Sequence, residues 1–181
     1  MSDAAEKVKF NVGGKHFEVS RALIDSHAES VLVVYDPAKD EMFWAEKGAG
    51  AWLNDNRRLR VSGRRSMAEA VFATGVPFGA KKTLPAMLAD LARLMPACAG
   101  VRRWGAASLD LAFVAAGRFD GFWESALSPW DTAAGCLLVR EAGGFVTNFK
   151  GQSETICADQ VLAGNDALHS KLHKLIATAL K

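Results

Sequence analysis

The sequence has 181 residues, of which 50% are hydrophobic and 23% charged, so it has the composition and length of a globular domain with a sizeable core. Its 22 basic and 20 acidic residues are well mixed and leave a formal charge of only +2, which predicts neither a nucleic-acid partner nor binding to an anionic membrane. No apolar run approaches the roughly 20 residues of a membrane span, and the polar start lacks a signal-peptide core, so we expect a cytoplasmic protein.

Two alternating runs near the start of the chain, VKFNVGG and KHFEVSR, predict a β-hairpin that turns at Gly13 and Gly14. A short helix is expected over residues 20–29, with Ser20 as its N-cap. Both elements are too small to form a domain by themselves.

The pattern changes at Val31, where VLVVYDP, EMFWAEKG and AWLN predict a meander of antiparallel strands. Further strands are expected at 70–75 and 120–125 and within FVTN and QVLAGN, and helices at 84–95, 107–116, 129–142 and 166–180. The elements interleave without the regular rhythm of a doubly wound sheet. The sequence therefore predicts a layered α/β (α+β) fold with a mixed, largely antiparallel sheet and packed helices.

The helix predicted over 129–142 carries the most distinctive polar residue, Asp131, in its first turn. A carboxylate at this end of a helix is stabilised in its charged form, as a metal ligand must be. The small residues at 133–135 would let this helix approach a neighbour closely, and Trp130, Leu137 and Leu138 are predicted to lie on its buried face. Ser128 and Asp131 also fit a capping box, which alone would explain both residues.

Other metal-binding residue types are sparse. Cys98, Cys136 and Cys157 are odd in number and far apart, which argues against a disulfide framework or a zinc site. His169 and His173 are one turn apart on the last predicted helix and could form a metal pair, although a solvated face explains them more simply.

The segment WDTAAG resembles the Trp-Asp-x-Ala-x-Gly signature of the inositol monophosphatase family, whose aspartate binds magnesium and contacts substrate. RRWGAASLDLAFVAAGRFDGFWE resembles the segment of that family which binds the substrate ring. The resemblance extends in order from Val31 to the C-terminus, and implies a partial inositol-monophosphatase-like fold. It also implies substrate-binding roles for Gly105, Ala107, Glu124 and Asp131, with Asp131 as a magnesium ligand.

Most of the family's metal-binding carboxylates belong to an N-terminal half with a Gly-Glu-Glu stretch and an Asp-Pro-Ile-Asp-Gly-Thr signature, and neither occurs in this sequence. One remaining aspartate is a poor match for magnesium, which gives up its water reluctantly. We therefore assign no catalytic residue and expect this chain alone to be inactive or nearly so.

The first 30 residues have a different resemblance. VKFNVGGKHFEVSRALIDSHAESVL is similar to the start of the potassium-channel tetramerisation (BTB/POZ-like) domain, although most of such a domain has no counterpart here. We therefore predict a chimera with a foreign segment at 1–30 and a truncated phosphatase domain at 31–181.

Two functions follow from these observations. In the first, the chain acts on inositol-phosphate-like small molecules with Mg²⁺, as the family resemblance implies. In the second, it is a non-catalytic module that forms homo-oligomers through an exposed sheet edge or face.

Overall fold

The structure is a computed structural model that describes residues 7–12, 15–20, 31–76, 83–153 and 159–177. The chain divides into two compact units, Met1–Val31 and Leu32–Lys181. In the first unit, β1 (Lys7–Val12) and β2 (Lys15–Ser20) pair antiparallel, with Lys7 opposite Ser20 and Val12 opposite Lys15. This pairing confirms the predicted hairpin strands. The two turn glycines and residues 21–29 of the predicted helix lie outside the described residues.

The second unit contains a four-stranded sheet in the order β3-β4-β5-β6. Its strands are β3 (Val31–Asp36), β4 (Glu41–Glu46), β5 (Gly50–Leu53) and β6 (Arg57–Arg58). The pairs β4/β5 and β5/β6 are antiparallel, as the meander pattern in the sequence predicts. The stacked rings of Trp44 and Trp52, 6.0 Å apart, add a cross-strand contact between β4 and β5.

A five-stranded sheet lies further along the chain, in the order β10-β11-β9-β7-β8. Its strands are β7 (Val71–Thr74), β8 (Gly100–Arg102), β9 (Gly121–Leu127), β10 (Phe145–Thr147) and β11 (Asp159–Gly164). The pairs β10/β11 and β11/β9 are antiparallel, whereas β7 pairs parallel with both β8 and β9. The sheet is therefore mixed, with its parallel strands at one side.

Four helices complete the described part of the second unit, together with short 3-10 turns at Met67–Glu69 and Met95–Ala97. They are α1 (Leu84–Leu94), α2 (Ala107–Ala115), α3 (Pro129–Glu141) and α4 (Asp166–Ala177). Pro129 starts α3, where its missing N–H is not needed, and Gly143 follows the end of α3 with a φ of 85°. No described helix is long and apolar enough to cross a membrane.

The five-stranded sheet is covered on both faces. Alternation along β9 sends Phe122 into a core shared with α2, α3 and the four-stranded sheet, and Trp123 into a second core shared with α1 and α4. Both side chains are almost fully buried, and burial of a large apolar side chain stabilises a fold by about 1.5–3 kcal/mol. The result is a layered α/β fold with packed helices and mixed sheet pairing.

The buried face of α3 agrees with the prediction at Leu138, which is fully buried, and at Leu137, which packs against the same core, but not at Trp130. Trp130 was expected to point inward but is 81% exposed, whereas Thr132, Gly135 and Val139 are buried. At Gly135, a Cβ atom would come within 2.5 Å of the Leu111 Cβ on α2. This close approach fixes how α3 packs on α2, because only a small residue fits there.

Candidate functional site

Asp131 lies in the first turn of α3, where the sequence places it. Its Oδ2 accepts a hydrogen bond from the backbone N–H of Ser128 at 3.0 Å, within a capping box. The capping box predicted from Ser128 and Asp131 is therefore confirmed. Because one carboxylate oxygen is engaged with the backbone, the other is the better placed to meet a ligand.

Glu124 lies near the end of β9, at the level of Gly75. The parallel register places Thr74 opposite Trp123, so Gly75 and Glu124 follow as neighbours. A Cβ atom on Gly75 would come within 1.9 Å of Glu124 Oε1, so the carboxylate lies directly over the glycine. Among the described residues, no group donates a hydrogen bond to this carboxylate. Glu124 is therefore a half-buried hydrogen-bond acceptor that has no donor among the described residues.

The electrostatic surroundings connect Glu124 to Asp131. Burial and, to a smaller extent, the negative charge of Asp131 together raise the pKa of Glu124 to about 7, against the opposing effect of Arg103. The structure thus brings two of the predicted site residues, from β9 and α3, close enough to interact.

Gly105 and Ala107 lie in the connection from β8 to α2. Gly105 is exposed with a φ of 102°, a conformation that favours glycine, and Ala107 is the first residue of α2. The Arg103 guanidinium lies against Gly105, since a Cβ atom there would come within 2.8 Å of Arg103 Nη1. Because Arg103 also acts on the pKa of Glu124, this connection borders the same group of residues.

Asp110 was not predicted as a site residue. It is fully buried on α2, and neither of its carboxyl oxygens has a hydrogen-bond partner among the described residues. Burial raises its pKa to about 7, with a further increase from Glu124 and an opposing effect of Arg103. The sequence did offer one signal, an acidic residue within the apolar run LDLAFVAA.

Strained backbone lies beside Glu124. Ala126 and Asp159 have φ angles of 62° and 67°, and the pairing of β9 with β11 shifts register between Asp159 and Gln160. Residues other than glycine rarely occupy this region, and such strain often accompanies functional sites. The bulge therefore lies in the short stretch of β9 between Glu124 and the start of α3.

In the described part of the chain, no group of three or more His, Cys, Asp or Glu side chains is arranged to hold a metal ion. His169 and His173 are not a solvated pair either. His169 Nε2 lies 3.1 Å from Thr147 Oγ1, and His173 Nε2 lies 3.1 Å from the Phe149 carbonyl oxygen. Burial lowers the pKa of His169 to about 4, and His173 lowers it further.

The described part of the chain thus has a layered α/β fold with an acidic site. Its carboxylates are Glu124, near the end of β9, and Asp131, at the start of α3. The model of the inositol monophosphatase family matches residues 9–181. The chain belongs to the inositol monophosphatase family.

Three related proteins illustrate this membership. The chain is 47% identical over 165 residues to an inositol-1-monophosphatase of Rhizobium meliloti, covering 91% of this chain and 61% of the relative. It is 47% identical over 171 residues to the Nus factor SuhB of Pseudomonas aeruginosa, and this alignment covers 93% of this chain and 61% of that relative. The crystal structure of the extragenic suppressor protein suhB from Bartonella henselae has a TM-score of 0.76 at 47% identity, covering 81% of this chain and 57% of that one.

These matches extend beyond the boundary predicted at residues 30/31. The family match starts at residue 9, and alignments of 165 and 171 residues are longer than the segment 31–181. They therefore include part of the segment interpreted as foreign and lend no support to its resemblance to a tetramerisation domain. The chain spans 61% to 65% of the length of the first curated relatives that it matches.

Proposed function

We propose that this chain binds phosphate monoesters of inositol-like polyols through Gly105, Ala107, Glu124 and Asp131. The observation that carries the proposal is the Glu124 carboxylate, which is half-buried, coupled to Asp131, and without a hydrogen-bond donor among the described residues. A ligand hydroxyl would supply that donor, and its binding to a charged acceptor is favourable in a partly desolvated site.

Gly105 and Ala107 support the same proposal by their size. At an exposed glycine just before the N-cap Ala106, the backbone is accessible to a ligand, and the first N–H groups of α2 favour an oxyanion. Arg103 lies beside this segment and contributes a positive charge.

Asp131 is the residue that we propose as a magnesium ligand, in line with the family. When bound, magnesium in such sites polarises the phosphate ester and activates a water molecule. The described residues do not fit a complete magnesium site, because the ion favours several oxygen ligands in octahedral geometry. We therefore infer that this chain alone binds its ligand with little or no turnover.

The test combines ligand binding with phosphate release. Isothermal titration calorimetry with inositol 1-phosphate should detect binding that Glu124→Gln weakens at least tenfold, because a hydrogen bond to a charged group is lost. Asp55→Asn, at an exposed position, serves as the charge-matched control. Binding that is equally strong in Glu124→Gln would overturn the proposed site. Mg²⁺-dependent phosphate release that disappears in Asp131→Asn would overturn the inferred lack of turnover.

A second candidate function, a self-associating module without catalysis, is favoured by one observation. Several large apolar side chains of the second unit are exposed, with Trp130 at 81%, Met95 at 61% and Leu88 at 54%. Exposed aromatic and apolar groups of this size are typical of protein contacts.

A further inference from the structure

The segment of residues 57–65 plays no part in the proposed function. Its sequence, RRLRVSGRR, contains five arginines and no acidic residue, and all five arginines are exposed. This local concentration is hidden in the overall charge of +2, from which the sequence predicts no nucleic-acid partner. A dense group of exposed cations creates a positive field that attracts polyanions. We call residues 57–65 the arginine segment.

The backbone of the arginine segment is held by contacts with three other elements. Leu59 is buried, and its N–H donates a hydrogen bond to the Ala51 carbonyl oxygen on β5 at 2.7 Å. The Val61 N–H donates to the Ala142 carbonyl oxygen at the end of α3 at 3.1 Å. Asn165 Nδ2, just before α4, donates to two carbonyl oxygens of the segment at 2.8 and 2.7 Å. The arginines therefore project from a fixed backbone, which lowers the cost of ordering them on a ligand.

Ion pairs within the protein explain only two of the five arginines. Arg64 Nη1 lies 3.5 Å from Asp120 Oδ2, and Arg65 Nη1 lies 4.0 Å from Asp166 Oδ2. In the part of the chain that the structure describes, no carboxylate oxygen lies within 4.0 Å of the other three, which are Arg57, Arg58 and Arg60. These three positive charges are available to a ligand.

Arg58 has a defined position on the outer face of the four-stranded sheet. The strand register places Trp44 on β4 opposite Trp52 on β5, and Trp52 opposite Arg58 on β6. The two indole rings stack at 6.0 Å with an angle of 18° between their planes, and Arg58 Cζ lies 5.5 Å from the centre of the Trp52 ring. A Cβ atom on Gly50 would come within 3.0 Å of Arg58 Nη2, so the glycine leaves room for the guanidinium. The three side chains form one stack of planar groups.

This stack ends in a guanidinium whose N–H groups are free for a ligand. Among the described residues, Arg58 has no hydrogen-bond acceptor, and β6 is the last strand at its edge of the described sheet. Both tryptophans are partly exposed, whereas Phe43 and Leu53 on the same two strands are buried. A stacked guanidinium with free N–H groups is suited to phosphate oxygens, and its open face to a planar group.

The combination of phosphate-binding and stacking groups points to one class of polyanion. A single nucleic-acid strand offers regularly spaced phosphates together with unpaired bases, which stack on aromatic rings and arginine guanidinium groups. A duplex offers the phosphates, but its bases are already stacked on each other. An anionic membrane offers charge without planar groups. The geometry at Arg58 therefore favours a single strand.

The arginine segment lies away from the candidate functional site. It contacts α3 at Ala142, after the last helical residue, whereas Asp131 lies in the first turn of the same helix. At a rise of 1.5 Å per residue, the two positions are separated by about 16 Å along the helix axis. A ligand at one end of α3 therefore need not touch the other end.

We propose that the arginine segment, together with the stack of Trp44, Trp52 and Arg58, is a binding surface for single-stranded nucleic acid. Bases stack on the exposed planar groups, and phosphates bind to the three arginines that have no described carboxylate partner. This inference goes beyond the proposed function and uses none of its residues.

Fluorescence anisotropy with a labelled oligouridylate of about 15 nucleotides tests the inference. Neutralisation of phosphates by three arginines should give log K a slope of about −2 against log salt between about 50 and 200 mM. Arg58→Gln should weaken binding at least tenfold at the lower salt concentration and make the slope shallower by about 0.7. Arg102→Gln, at an exposed arginine of β8 without a described carboxylate partner, is the matched control and should change the affinity less than about twofold.

A charge-conserving variant separates stacking from charge. Arg58→Lys should keep the salt slope but weaken binding at least fivefold, because an ammonium has no planar face. A duplex of the same length should bind the unaltered chain at least tenfold more weakly than the single strand. Absence of binding, equal affinities of Arg58→Gln and Arg102→Gln, full affinity in Arg58→Lys, or equal binding of the duplex would each overturn the inference.

Competition distinguishes this inference from the proposed function. Excess inositol 1-phosphate should not displace the oligonucleotide, and Glu124→Gln should bind it as the unaltered chain does. Displacement, or loss of oligonucleotide binding in Glu124→Gln, would place the strand in the candidate site and overturn this inference alone. Oligonucleotide binding that depends on Arg58 in a chain that does not bind inositol 1-phosphate would support this inference while the proposed function fails.

Discussion

Asp110 and Glu124 are carboxyl groups held in surroundings that disfavour their charged forms. Asp110 is fully buried without a described hydrogen-bond partner, and Glu124 lies over Gly75 near Asp131. Both pKa values rise to about 7, mainly through burial. A fold tolerates such groups when another function requires them, because an isolated buried charge costs stability.

Asp110→Asn tests this cost directly. The folded pKa of about 7 exceeds the ordinary 3.8, so the folded chain holds a proton that the unfolded chain loses as the pH rises from about 4 to about 7. The contribution of Asp110 to stability therefore falls over this window and is lowest above pH 7. We expect Asp110→Asn to raise the free energy of unfolding by about 2 kcal/mol at pH 8, and to change it little at pH 4.

Urea unfolding at the two pH values provides the measurement, with Asp55→Asn as the control because that side chain is exposed. A variant that is destabilised at pH 8 would contradict this account. It would indicate that the Asp110 carboxylate is bound to a donor or a cation in the folded protein.

At the scale of elements, α3 connects three parts of the second unit. Its first turn carries Asp131, its middle packs on α2 through Gly135, and its last residue, Glu141, reaches the turn between β4 and β5. Glu141 Oε1 and Oε2 accept hydrogen bonds from the backbone N–H groups of Gly48 and Gly50, at 2.9 and 3.0 Å. The four-stranded sheet is thereby fixed to the helix that presents the candidate site.

Glu141→Ala should lower the free energy of unfolding by about 1–2 kcal/mol, because two hydrogen bonds to a charged acceptor are lost and the Gly50 N–H is partly buried. Hydrogen exchange should accelerate at the amides of Gly48 and Gly50 before it does so in β9. Asp55→Ala, in the turn after β5, is the matched control. Unchanged exchange at both glycine amides would show that the turn is held by other contacts.

At the scale of the whole molecule, apolar surface remains exposed around a well-packed interior. Both cores are filled with large side chains, yet Trp130, Trp104 and Phe145 are each more than half exposed. A buried aromatic anchor often dominates the affinity of a protein contact. Whether the chain self-associates through such a residue depends on the whole exposed surface, and it cannot be inferred from one sheet edge or one helix.

Trp130→Ser tests whether the outer end of α3 forms such a contact. If the chain self-associates there, the substitution should weaken association at least tenfold, whereas Phe145→Ser should have a smaller effect. Sedimentation equilibrium over a range of protein concentrations measures the dissociation constant. A chain that remains monomeric at 100 μM, about the upper range of specific weak association, would remove the second candidate function.

The sequence by itself determined the fold class and most of the described elements, although it did not predict β8 (Gly100–Arg102). Periodic apolar residues, Ser128 with Pro129, and the glycines at 143 and 144 correctly delimit α3, because helix boundaries depend on nearby residues. The WDTAAG motif identified the family for the same reason, since its residues are contiguous. The resemblance of the first 30 residues was carried by a short segment alone, and the family match from residue 9 gives it no support.

Only the tertiary structure decided which residues from separate elements meet. Periodicity gave no reason to connect Asp110 with Glu124, which lie on a helix and a strand. It also placed Trp130 inward with Leu138, but Leu138 is fully buried and Trp130 is exposed. His169 and His173 likewise found partners at Thr147 and Phe149. Local patterns report which face of an element is apolar, whereas burial and pKa depend on packing between elements that are distant in sequence.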